Sequence, residues 1–151
     1  MLPETVYRLS SHQNIIGIKE ASGNKERSLK LLEMCAENMA IYTGDDKTSM
    51  SDMLDGFSGN ISVTANVVPD QMHKMCMYAL DGNEEKASMI NNKIDKLHDI
   101  LFIESNPIPV KWCLYKMGLI KKGIRLPLTW LDEKLETDLE NALKNAGVSF
   151  E

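Results

Sequence analysis

Three short apolar runs, each followed by a polar turn and a helix-periodic stretch, constrain this chain more than any other feature. Asn14-Ile15-Ile16-Gly17-Ile18-Lys19 is apolar without alternation, which predicts a parallel strand covered on both faces. Ser22-Gly23-Asn24 turns the chain, and from Lys25 to Asn38 the positions Leu29, Leu32 and Cys35 or Ala36 recur at helical spacing. Met39-Ala40-Ile41-Tyr42-Thr43 reads as a second strand, Gly44-Asp45-Asp46 as a turn with a capping aspartate, and Ser49 to Phe57 as a short helix. Asn60 to Val63 supplies a third strand. Val67 to Leu80 supplies a third helix, with Pro69 in its first turn, where a missing N–H costs nothing. The order β-α-β-α-β-α implies parallel strands joined by right-handed crossovers.

Strand signals stop at Asp81-Gly82-Asn83. Glu84 to Glu104 carries Ala87, Ile90, Ile94, Leu97 and Leu101 at helical intervals. Asn106-Pro107-Ile108-Pro109 interrupts the pattern, Val110 to Met117 resumes it with Gly118 as a stop, and Leu131 to Ala146 ends helically before Gly147. The chain therefore divides into an α/β part, residues 1–80, and a helical part, residues 81–151. With 151 residues, 43% of them apolar, it can bury a core, whereas a complete (β/α)8 barrel typically needs about 250 residues.

A net charge of −5 and a pI near 5.2 oppose binding to nucleic acid or anionic membrane through the overall field. No apolar stretch approaches the ~18 residues of a membrane span. Met1-Leu2-Pro3-Glu4-Thr5 lacks the basic start and apolar core of a secretory signal, so the cytoplasm is the simplest compartment. Cys35, Cys76 and Cys113 are widely spaced and odd in number, which argues for reduced structural thiols rather than disulfides or zinc. His12, His73 and His98 are scattered. Asp45 and Asp46 have no partner at ligand spacing, so capping is favoured over a metal.

The chemistry gathers at strand ends. Lys19 closes an apolar strand, and an amine that loses hydration there is shifted toward its neutral, nucleophilic form. Reactive groups of a (β/α)8 barrel collect at the C-terminal ends of its strands. Lys19 ends the first strand, Gly44 follows the second, and Ile61 lies in the third. Glycine at such a place lets a ligand approach the backbone closely.

The segment Asn14-Ile15-Ile16-Gly17-Ile18-Lys19-Glu20-Ala21-Ser22-Gly23-Asn24 resembles the lysine-bearing strand of the dihydrodipicolinate synthases. Tyr42-Thr43-Gly44-Asp45-Asp46, Gly59-Asn60-Ile61-Ser62-Val63-Thr64-Ala65-Asn66-Val67 and Asn106-Pro107-Ile108-Pro109-Val110-Lys111-Trp112 agree in order and spacing. The resemblance runs along the whole chain but covers only the C-terminal half of the family's usual length. It implies the C-terminal part of a TIM (β/α)8 barrel, three strand-helix units, followed by an α-helical domain.

By the same resemblance, Lys19 is expected to form an imine with pyruvate, and the derived enamine to attack aspartate 4-semialdehyde, in lysine and diaminopimelate synthesis. No metal or organic cofactor enters that chemistry. Gly44 and Ile61 match positions whose main chain faces the substrates. The family's proton relay, its carboxylate-binding arginine and its lysine feedback site belong to the absent N-terminal half. The missing acid-base groups typically contribute ~10² to 10⁴ in rate. Two alternatives remain. One is a neighbouring class I pyruvate aldolase, such as an N-acetylneuraminate lyase or a keto-deoxy-sugar aldolase, against which the Gly44-Asp45-Asp46 and Asn106-Pro107-Ile108-Pro109 blocks argue. The other is a non-catalytic fragment that pairs with itself or a complementary half, because strands cut from a barrel expose unpaired edges and an inner face.

Overall fold

The computed structural model describes residues 1–150. It begins with α1 (Pro3–Ser10), β1 (Gly17–Glu20), α2 (Lys25–Cys35), β2 (Ala40–Thr43), α3 (Ser49–Leu54) and β3 (Gly59–Asn60). A 3₁₀ turn (Thr64–Asn66) leads into α4 (Pro69–Leu80), α5 (Glu84–Ile100), α6 (Ile108–Lys116) and α7 (Glu133–Asn145). The three strands are parallel in the order β1-β2-β3, as the alternation of elements requires. Gly17 pairs with Ala40, Lys19 with Tyr42, Glu20 with Thr43, and Tyr42 in turn with Gly59.

The first strand differs from the sequence expectation. It spans Gly17–Glu20 rather than the whole run from Asn14, and it is not covered on both faces. Glu20, Ile41 and Thr43 are buried on one face, while Lys19 and Tyr42 are exposed on the other. Among the described residues, α2 packs on β2, and α3 packs on β2 and β3. Contiguous apolar residues thus mark a strand meant for two-sided cover, of which the described residues provide one side. Tyr42, at 37% exposure, shows the consequence.

Other boundaries also move. The third strand ends at Asn60 instead of Val63, because Val63 already has helical dihedrals ahead of the 3₁₀ turn. In α2 the inward stripe is Ser28, Leu31 and Cys35, so Leu29 is exposed and the helix stops at Cys35 instead of Asn38. The helix after Thr48 ends at Leu54 instead of Phe57. Helix α5 ends at Ile100 instead of Glu104, and α6 starts at Ile108, with Pro109 tolerated in its first turn. Helix α7 starts at Glu133, capped by the Asp132 side chain accepting from Lys134 N at 3.0 Å. Helix α1 was not among the elements expected from the sequence, although Pro3, Val6 and Ser10 recur at helical spacing on its buried face. It packs on α2 through buried Val6 and a Lys30–Glu4 ion pair.

The chain forms two compact units, Met1–Ser62 with Met75–Ser88, and Val63–Lys74 with everything from Met89 onward. The first contains the sheet and buries Leu31, Ile41, Met53 and Phe57. The second is helical, with Trp112, Ile94, Leu97 and Leu139 in its core. There His98 is buried, Nδ1 lying 3.0 Å from Thr64 Oγ1 and Nε2 3.2 Å from Asn91 Oδ1. Gln71 Nε2 donates to Ala146 O at 2.7 Å. No helix among the described residues is long and apolar enough to cross a membrane.

Candidate active site

Lys19 stands on the open face of the sheet, one residue before the end of β1. Its side chain lies against Gly44, the residue after β2. A Cβ built on Gly44 would fall 2.1 Å from Lys19 Cε, 3.0 Å from Lys19 Cγ and 2.9 Å from Ala21 Cβ. Lys19 therefore occupies the space that any other side chain at position 44 would take. The main chain holds this contact in place, since Gly44 N donates to Glu20 O at 2.7 Å.

Ile61 N donates to Thr43 O at 2.9 Å, which extends the β2–β3 ladder one step past β3. Strand alternation then puts Ile61 and Gly44 on the face that carries Lys19. Ile61 is 49% exposed there. All three residues singled out from the sequence thus share one end and one face of one sheet.

Tyr42 joins them, a residue given no role in the sequence analysis. It is the direct register partner of Lys19. Its ring lies between two glycines: a Cβ on Gly17 would meet its Cε2 at 3.4 Å, and one on Gly59 would meet its Cδ1 at 3.4 Å. The available signal was the Gly-x-Lys and Tyr-x-Gly spacing around two adjacent strands, legible only once their register is known.

Polar groups on the helix-facing side fix both strand ends. Glu20 is 6% exposed and accepts from Ser22 N at 2.8 Å and from Arg27 Nε at 2.6 Å. Burial pushes its carboxyl up, but the bonds from Ser22 and Arg27 outweigh it and leave the group below its ordinary range. At the end of β2, Thr43 Oγ1 lies 2.9 Å and Thr48 Oγ1 2.8 Å from Asp52 Oδ2.

Asp45 and Asp46 have different partners, and contrary to the capping expectation neither is the N-cap of α3. That position is Thr48, without a side-chain cap bond. Asp46 is buried and accepts from Asn60 Nδ2 at 2.9 Å. Asp45 Oδ2 lies against Gly23, which adopts φ +64 in the turn after β1, so this carboxylate bridges two loops at the same end of the sheet. No group of three His, Cys, Asp or Glu side chains among the described residues is placed to hold a metal.

The thiols stand apart from this chemistry. Cys35 and Cys113 are buried and Cys76 is half-buried, all of them free. Burial pushes Cys113 up to about 12 and, helped by Asp46, Cys76 up to about 11.

The profile of the dihydrodipicolinate synthetase family matches residues 1–146. The chain belongs to that family. It is 52% identical over 148 residues to the 4-hydroxy-tetrahydrodipicolinate synthase of Pseudomonas aeruginosa, an alignment covering 98% of this chain and 51% of the relative. Among solved structures, the dihydrodipicolinate synthase of Acinetobacter baumannii in complex with pyruvate superposes with a TM-score of 0.96 at 51% identity, over 98% of this chain and 51% of that one. The Aquifex aeolicus dihydrodipicolinate synthase keeps a TM-score of 0.94 at 32% identity, over 99% of this chain and 52% of that one. The chain thus spans about half the length of the curated relatives it matches. Its three-stranded parallel α/β sheet is consistent with part of the fold of these solved relatives.

Proposed function

We propose that this chain carries the imine-forming part of a 4-hydroxy-tetrahydrodipicolinate synthase. Lys19 Nζ adds to the ketone of pyruvate, water leaves, and an imine forms. Loss of a methyl proton converts it to an enamine, whose carbon forms a new bond to the aldehyde carbon of aspartate 4-semialdehyde. The observation that carries this reading is the exposed Lys19 held against Gly44 at the C-terminal end of a parallel sheet, in a chain half identical to a curated synthase. Gly44 and Ile61 would present main-chain groups to the substrates. Neither a metal nor an organic cofactor is needed for these steps.

In this reading residues 1–80 are three strand-helix units of a TIM barrel, and 81–151 form the C-terminal helical domain of a cytoplasmic enzyme. The strands that complete the barrel, and with them the acid-base groups, come from a complementary N-terminal half or, failing that, the open sheet self-associates. Supporting this, β1 and β3 are sheet edges, and Tyr42 (37%) and Ile61 (49%) expose apolar surface on the open face.

Incubation of the chain with pyruvate and borohydride, followed by peptide mass spectrometry, tests the proposal. A reduced adduct on Lys19, absent in Lys19→Ala, is expected. Labelling spread over surface lysines and unchanged in Lys19→Ala would overturn it. Adding the complementary half should raise turnover of pyruvate and aspartate 4-semialdehyde from near zero.

A further inference from the structure

Asp52 is 3% exposed, in the middle of α3, and no cation pairs with it among the described residues. Burying a carboxylate is costly unless hydrogen bonds compensate it, so its partners show what it is for. They are two hydroxyls on one oxygen: Thr43 Oγ1 at 2.9 Å and Thr48 Oγ1 at 2.8 Å. Bonds from hydroxyls to an ionised acceptor are the strong kind, and they tie the last residue of β2 to the start of α3.

Thr43 is also bonded on the far side of Gly44. Asp45 N donates to Thr43 Oγ1 at 3.3 Å, so one hydroxyl holds the chain before and after the glycine. Gly44 N is tied to Glu20 O as well, and Lys19 Cε rests on Gly44. Asp52, Thr43, Gly44 and Lys19 form one continuous line of contacts from the helix layer through the sheet to the open face.

We infer that Asp52 is a positioning residue for the Lys19 amine, acting through Thr43 and the Gly44 main chain. The inference rests on Lys19 being the imine-forming group, but the arrangement is observable without substrate. A role limited to anchoring α3 predicts changes in stability alone. A positioning role predicts that Lys19 itself loses its fixed place.

The experiment is ¹³C-lysine labelling of the full chain, with the Lys19 ε-methylene resonance assigned by its loss in Lys19→Arg. In Asp52→Ala and Thr43→Val this resonance should move to the free-lysine position, while those of Lys30 and Lys116, paired with Glu4 and Glu140, stay put. Asp52→Asn, which keeps an acceptor oxygen, and Thr43→Ser, which keeps the hydroxyl, should restore it. Borohydride trapping of pyruvate at Lys19 should fall about tenfold in Asp52→Ala and recover in Asp52→Asn, a loss within what sub-ångström misplacement produces. The inference is overturned if the wild-type resonance already sits at the free-lysine position, or if it is unmoved in folded Asp52→Ala and Thr43→Val. Unfolding of both variants overturns it too, since Asp52 then holds the fold rather than the amine. Failure of wild-type trapping alone counts against the proposed reaction and leaves the resonance to judge Asp52.

Discussion

Gly44→Ala separates the reacting geometry from the fold with a single methyl group. The added Cβ falls 2.1 Å from Lys19 Cε, whereas carbon atoms settle at about 3.5–4.0 Å, so Cε must retreat by roughly 1.5 Å. The Lys19 stem can swing, but Cγ at 3.0 Å must also give way, and Ala21 Cβ at 2.9 Å blocks part of the remaining space. Gly44 is absent from the glycines with positive φ, so alanine imposes no backbone strain there. The cost to stability should be about 1–2 kcal/mol, in the lower part of the overpacking range, because the Lys19 atoms belong to an exposed, flexible side chain whereas Ala21 Cβ is fixed to the main chain. The cost to chemistry should be larger, since misplacing a reacting group by about 1 Å loses on the order of 10²-fold in rate. Time-resolved borohydride quenching with pyruvate, read as the fraction of Lys19 peptide modified, measures the rate, and urea unfolding measures stability. A trapping rate within twofold of wild type would refute the reasoning, as would a loss no greater than the loss of folded protein.

Glu20→Gln tests the second strand-end anchor. Because the folded carboxyl lies below its ordinary value of 4.5, its contribution is present above that value and is lost as pH falls through the lower folded value. The stability gap between wild type and Glu20→Gln in urea should therefore shrink below pH 4.5, and a gap independent of pH would count against the Arg27 and Ser22 bonds. Leu31→Ala should cost about 2–5 kcal/mol, because Leu31 is fully buried, while Leu29→Ala at 47% exposure should stay within about 0.5 kcal/mol. Equal effects in urea titrations would return the inward face of α2 to Leu29. Iodoacetamide at pH 8 should modify the half-buried Cys76 before Cys35 and Cys113, and all three far more slowly than free cysteine. Rapid, equal labelling of the native protein would contradict their burial.

Local pattern carried much of this protein. The β-α-β-α-β-α order, the helical stretches after Asp81 and the stops at Gly118 and Gly147 follow from residue spacing and glycine's access to positive φ, at 72° and 75° in those two cases. The motif around Lys19 and the Gly44 and Ile61 blocks were legible because each occupies a few consecutive residues. Register was not legible. That Lys19 faces Tyr42, that Gly44 is the surface on which the lysine rests, and that Asp52 reaches back to Thr43 are contacts between residues 9 to 25 positions apart, and periodicity says nothing about them. The covered or open state of the sheet also lay beyond the sequence, since an apolar run announces only that a strand is suited to burial. Whether burial occurs depends on what packs there, and in the described residues helices cover the Glu20–Thr43 side and leave the Lys19–Tyr42 side to solvent.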